Sequence, residues 1–113
     1  MILSDKAKNA MLQGLADVLN TGTNSVLSIY IDTVLAVEIT LTNPIALSLT
    51  GGVLTFNVPP EALAVTSGIP THAKLLDASG ALIADYTAAE MTLNKEKIYQ
   101  GGYVGIQSLK VRI

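Results

Sequence analysis

His72 is the only histidine in the chain, and imidazole is the side chain that exchanges a proton near neutral pH. A hydrolytic triad would need a serine to attack, His72 to take its proton and an acid to orient the ring. The available partners are Ser67 or Ser79 and Asp77 or Asp85. Neither serine stands in a G-x-S-x-G elbow, the strained turn that presents a nucleophilic hydroxyl. His72 therefore reads as a polar residue of a hairpin strand, and it lacks the paired ligand spacing of a zinc site.

The nine acids allow carboxylate pairs, such as Asp32 with Glu38 or Asp85 with Glu90. Glycosidases use two such carboxylates in a cleft. Sugar clefts also commonly carry aromatic platforms, and this chain has no Trp; its aromatics are Phe56, Tyr30, Tyr86, Tyr99 and Tyr103. The acids read as a solvated face. Gly51-Gly52 and Gly101-Gly102 neither open a helix nor carry the lysine of a phosphate-binding loop, so they read as turns. Tyr99 and Tyr103, around the second pair, would suit a small ligand platform, but core or rim packing is the expectation. No catalytic, cofactor or metal site is expected, and the chain reads as non-enzymatic.

Composition points the same way. Half of the 113 residues are hydrophobic and 14% are charged, against roughly 25% charged in an average soluble domain. So little charge leaves a small protein poorly covered as a free monomer, as if built to pack against neighbours. The net charge is -2, and the basic residues Lys6, Lys8, Lys74, Lys95, Lys97, Lys110 and Arg112 are scattered. Nucleic-acid binding usually needs a clustered basic face, so no nucleic-acid partner is expected. No run approaches the ~18 apolar residues of a membrane span, and Met1–Asn20 lacks the continuous apolar core of a signal peptide. Synthesis in a cytoplasm, with no membrane partner, is the expectation. With no Cys, disulfides and thiolate chemistry are absent.

These residues must be positioned by two kinds of element. Ser4 is a good N-cap, Asp5 suits the positive helix end, and Asn20-Thr21-Gly22 is a stop. Between them Ala7, Met11, Leu15 and Val18 form one stripe, widened by Leu12 and Leu19, with Lys6, Lys8, Asn9, Gln13 and Asp17 opposite. Gly14 either weakens this helix or allows close packing. After Gly22 the chain turns to short Val-, Ile-, Leu- and Thr-rich runs divided by Gly, Pro, Asn and Asp, which predict strands. Val26–Ile31 and Leu35–Thr42 alternate. Ile45–Leu49 and Val53–Val58 flank a Thr50-Gly51-Gly52 turn; Thr71–Leu76 and Ala81–Thr87 flank Asp77-Ala78-Ser79-Gly80. Glu61–Val65 is ambiguous between helical turn and strand, Ala88–Leu93 has Met91 and Leu93 inward, and Asn94–Lys97 is a charged turn. In the last strand, Tyr103–Ile113, Val104 and Ile106 keep one phase while Leu109, Val111 and Ile113 keep the other. That requires a bulge near Gln107-Ser108 or a strand crossing between sheets.

The expected fold is mainly β: an antiparallel sandwich of jelly-roll or immunoglobulin-like type, or a small barrel, preceded by one helix. Residues 1–22 form the helix and its cap and residues 23–113 the β portion of a single domain. Ile2, Leu3, Met11, Leu12, Leu15, Val111 and Ile113 are the candidate subunit-interface residues, because apolar termini and an apolar helix stripe favour burial against a neighbour.

The opening Leu3–Leu12 and Leu15–Asn20, the strand piece Leu27-Ser28-Ile29-Tyr30, the block Leu41-Thr42-Asn43-Pro44, the turn Asp77–Gly80 and the closing run Gly101–Ile113 together resemble small proteins of tailed-bacteriophage and prophage virions. Those relatives carry a Gly- and Pro-containing loop where this chain runs Ile31–Ala36. The resemblance implies a capsid decoration or cement protein on the virion surface, with the major capsid protein and copies of itself, a trimer among the options, as partners. A tail, neck or baseplate part and a carbohydrate- or receptor-binding module are the other readings.

Overall fold

The computed structural model describes residues 1–22, 24–94 and 96–113. Thr23, the first residue of the expected β portion, and Lys95, in the expected charged turn, lie outside the described residues. Helix α1 (Asp5–Asn20) starts where the Ser4 hydroxyl accepts from the Ala7 N–H at 3.2 Å. It stops where Thr21 leaves helical geometry and Gly22 takes φ +82°, a conformation open to glycine because it has no Cβ.

Strands β1 (Val26–Ile31), β2 (Val34–Thr40), β6 (His72–Leu76) and β7 (Leu82–Thr87) form an antiparallel sheet in the order β2-β1-β6-β7. Its inner face is the predicted alternation. Leu27 and Ile29 of β1, Val37 and Ile39 of β2, Ala73 and Leu75 of β6 and Tyr86 of β7 are all buried. A register shift beside Tyr30 and Leu35 inserts Ala36, which is buried too. A second sheet has the order β11-β4-β3, from β3 (Ala46–Thr50), β4 (Val53–Phe56) and β11 (Lys110–Arg112). Gly51 and Gly52 turn β3 into β4 with φ +59° and +76°, the two positive values that a type I′ hairpin demands. Two small ladders pair β5 (Ala62–Leu63) with β9 (Tyr103–Val104) and β8 (Thr92–Leu93) with β10 (Ile106–Ser108).

Among the described residues there are eleven strands where seven or eight were expected. The difference lies mostly at the C-terminus. Tyr103–Ile113 is not one strand but three, each paired with a different neighbour. The phase change marks this crossing between sheets, with a register irregularity between Ile106 and Ser108. Glu61–Val65 resolves as strand β5, and Ala88–Glu90 as one 3-10 turn before the buried Met91.

The helix buries only part of the expected stripe, with Leu15 packed against the core. Leu12, Ala16 and Leu19 enter the core, whereas Met11 and Val18 are exposed. The main neighbour of the helix is the β3–β4 hairpin. Lys8 and Asn9, expected on the solvent side, also lie against that hairpin. Asn9 Oδ1 accepts from the Gly52 N–H at 2.9 Å. A Cβ on Gly52 would fall 2.8 Å from Lys8 Cδ. Gly14 meets nothing within 4 Å of a built Cβ, so it serves no close packing. At the helix end the Ser25 hydroxyl donates to the Leu19 carbonyl and Asn20 Oδ1 accepts from the Ile45 N–H, both at 2.8 Å. Helix and sheets share one continuous hydrophobic core.

Candidate interaction surface

The groups that a triad would need are held apart. The His72 ring stacks on Tyr30 across β1 and β6, with centroids 5.2 Å apart and planes 3° from parallel, and its Nδ1 is 3.0 Å from the Thr71 hydroxyl. Ser67 Oγ accepts from the Gln100 N–H, and Ser79 Oγ donates to Asp77 inside their own turn. Asp85 stands opposite Lys74, whose Nζ lies 5.6 Å from the centre of the Tyr30 ring. This outer face, Tyr30, His72, Lys74, Glu38 and Asp85, is a solvated strand surface of cross-strand pairs. Among the described residues no group of three or more His, Cys, Asp or Glu is arranged to hold a metal ion.

Among the described residues three ionisable groups are shifted, each for a structural reason. The Asp77 carboxylate is held below its ordinary range by the Ser79 hydroxyl and by the Ala81 and Ser79 N–H groups, all donating to Oδ1. Glu90 is lowered by the Thr87 N–H and then by the Thr87 hydroxyl, both donating to its Oε1. Burial, with Glu90 nearby, pushes the Tyr86 phenol up to about 12. All three serve turns or packing, since their partners are local backbone or, for Tyr86, the Lys110 carbonyl across the sheets.

The unusual property of the surface is apolar exposure. Fourteen large hydrophobic residues are exposed, including Met11, Val18, Leu47, Leu63, Val65, Ile69, Tyr99 and Tyr103. Single exposed apolar residues are ordinary, whereas contiguous ones mark association sites. Part of it is contiguous. Leu63 is paired with Tyr103 across the β5–β9 ladder, and Gly101 and Gly102 tie the Tyr99 turn to Ala64. Tyr99 and Tyr103, expected in core or rim, are 58% and 60% exposed, and Lys97 Nζ lies 5.3 Å from the centre of the Tyr99 ring. Near them Ile69, Pro70, Met91 and Leu93 line a groove of about 360 Å³.

The expected interface residues divide. Ile2, Met11 and Ile113 are exposed, Ile2 at 96%. Leu3 and Val111 are half-buried, and Leu15 and Val111 pack against the core. Leu12 is 1% exposed, so it is a core residue that no partner can reach. Leu63 and Val65 were not foreseen. In Glu61-Ala62-Leu63-Ala64-Val65 the small alanines face inward and the large side chains outward, the reverse of what size alone suggests.

No family model, curated protein or solved structure matches the chain. Among the described residues no helix is long and apolar enough to cross a membrane.

Proposed function

We propose that this protein is a non-enzymatic structural component of a tailed-bacteriophage virion, a decoration or cement protein that binds the assembled capsid shell. One observation carries the reading: a small β-rich chain with a closed core still exposes fourteen large hydrophobic residues. Apolar area removed from water contributes roughly 25 cal/mol per Å². Seating such a surface across several shell subunits, in many copies, multiplies weak contacts into stable attachment. The resemblance of the N-terminal helix, the Leu27–Tyr30 strand and the Gly101–Ile113 closing run to phage virion proteins supports the same partner, the major capsid protein.

The test is mass spectrometry of separated heads and tails from purified particles. Hundreds of copies confined to heads are expected. Detection in tails alone makes it a tail, neck or baseplate part, and absence from both overturns the virion reading. The exposed Tyr99 and Tyr103 support a second reading, a carbohydrate- or receptor-binding module. Saturable binding to a glycan array, lost on Tyr103→Ala, would favour that module over the shell protein.

A further inference from the structure

We infer that β3 is a self-pairing edge, and that two copies of this chain join β3 to β3 antiparallel across a two-fold axis, making one six-stranded sheet. Thr50 and Val53 close the two-residue hairpin, so they form a hydrogen-bonded pair. The next pair, Leu49 and Leu54, is then of the non-hydrogen-bonded kind, whose N–H and C=O groups point away from each other. Those of Leu54 turn toward β11, where Leu54 faces Val111 and the flanking bonds Ile113 N–H to Gly52 O and Phe56 N–H to Leu109 O keep the same register. Those of Leu49 turn to the open side of β3. Of the named elements, only α1 and β4 pack substantially against β3, and α1 lies against the hairpin. An extended backbone is the partner that satisfies an outward-facing donor and acceptor of this kind.

Charge leaves β3 as the edge where two copies of this chain can pair. No charged residue occurs from Ile39 to Pro60, so the β3–β4 hairpin itself brings no charge to a second β3. The other edges of the two larger sheets are guarded. The β2 edge is occupied, since Val65 N–H and the Thr66 hydroxyl donate to the Ala36 and Leu35 carbonyls. Pairing β7 with itself would bring Asp85 near Asp85, and pairing β11 would bring Lys110 and Arg112 near their copies. Native edges are ordinarily protected by such charges. On β3 the one protective device is the register shift between Ala46 and Ser48, beyond which Ser48–Thr50 remains regular. Leu47, at that shift, is 65% exposed and would be covered by the partner strand.

The inference goes beyond the proposed function and rests on none of its virion part. Sedimentation equilibrium of the full chain is expected to give a dimer, and the double substitution Leu47→Lys, Ser48→Lys to weaken it at least about 100-fold by placing like charges across the axis. The chain has no cysteine, so Ser48→Cys gives a clean cross-link. Oxidation should yield a covalent dimer with Ser48→Cys and none with Leu82→Cys on β7. A monomer at about 100 µM, or a dimer that Ser48→Cys does not capture, overturns the inference, even if the lysine variant fails to fold. Particle binding reads out separately: a dimer that ignores capsids refutes the shell protein alone, and a monomer that binds them refutes the dimer alone.

Discussion

At Asp77 a single carboxylate organises a whole turn. Its Oδ1 accepts from the Ser79 hydroxyl and from the Ser79 and Ala81 N–H groups within 3.0 Å. These bonds favour the charged form, so the proton binds less readily in the folded chain than in the unfolded one. The same holds for Glu90 and its bonds from Thr87. A carboxyl lowered by folding adds stability above its unfolded value and loses it as pH falls through its folded value. The melting temperature should therefore drop on acidification below about pH 4. In the variant Asp77→Asn, Glu90→Gln, which keeps the acceptor oxygens and removes the titration, that drop should be shallower. Thermal melts followed by circular dichroism from neutral to acid pH check this; equal slopes would mean that neither carboxylate matters.

At the scale of the element, the helix is decided by which stripe it buries. Leu12 and Met11 are adjacent in sequence and opposite in fate, 1% and 55% exposed. Leu12→Ala should cost about 2–5 kcal/mol, because it removes buried apolar atoms and leaves a cavity. Met11→Ala should stay within about 0.5 kcal/mol, as an exposed change to a good helix former. Urea denaturation of the two variants measures both, and a large loss for Met11→Ala would mean that this side of the helix is covered in solution. The hairpins obey more local rules. Gly51-Gly52 supplies consecutive positive φ angles at no steric cost, and Asp77-Ala78-Ser79-Gly80 reuses a side-chain oxygen as a turn acceptor. The β1–β2 turn at Asp32-Thr33 contains no glycine. Asp32 adopts φ +54°, which aspartate tolerates better than most residues, and its N–H donates to the Thr71 hydroxyl.

On the scale of the whole molecule, the two larger sheets are tied by Tyr86. Its ring is buried on β7 and its hydroxyl donates to the Lys110 carbonyl on β11 at 3.1 Å. Tyr86→Phe keeps the ring and removes the bond, and should cost about 1 kcal/mol in urea denaturation at neutral pH. An alkaline signature should accompany it. A phenol raised to about 12 when folded and ionising near 10 when unfolded stabilises the fold fully below about pH 10 and loses that contribution as pH rises toward 12. The phenylalanine variant should lack this part of the alkaline loss. If both proteins decline in parallel, Tyr86 is not the group responsible. Tyr86 also lines a groove of about 510 Å³ together with Asp85, Glu90, Lys110 and Arg112.

The sequence by itself determined the helix, its cap and stop, the two turns with glycine or aspartate signals, the mainly β character and the inner alternation of β1 and β2. Those properties depend on φ, ψ and spacing, which neighbouring residues set largely alone. It also carried the phase change in Tyr103–Ile113, a local trace of a non-local event. Only the tertiary structure decided that this run serves three ladders, because strand partners are chosen by packing between residues far apart in the chain. The tertiary structure likewise put Ala16 inward and Met11 outward, turned Leu63 to solvent over the buried Ala64, and left Tyr99 and Tyr103 exposed. Hydrophobicity states that a side chain gains by leaving water; the shape of what it meets decides whether this chain or a partner supplies the cover.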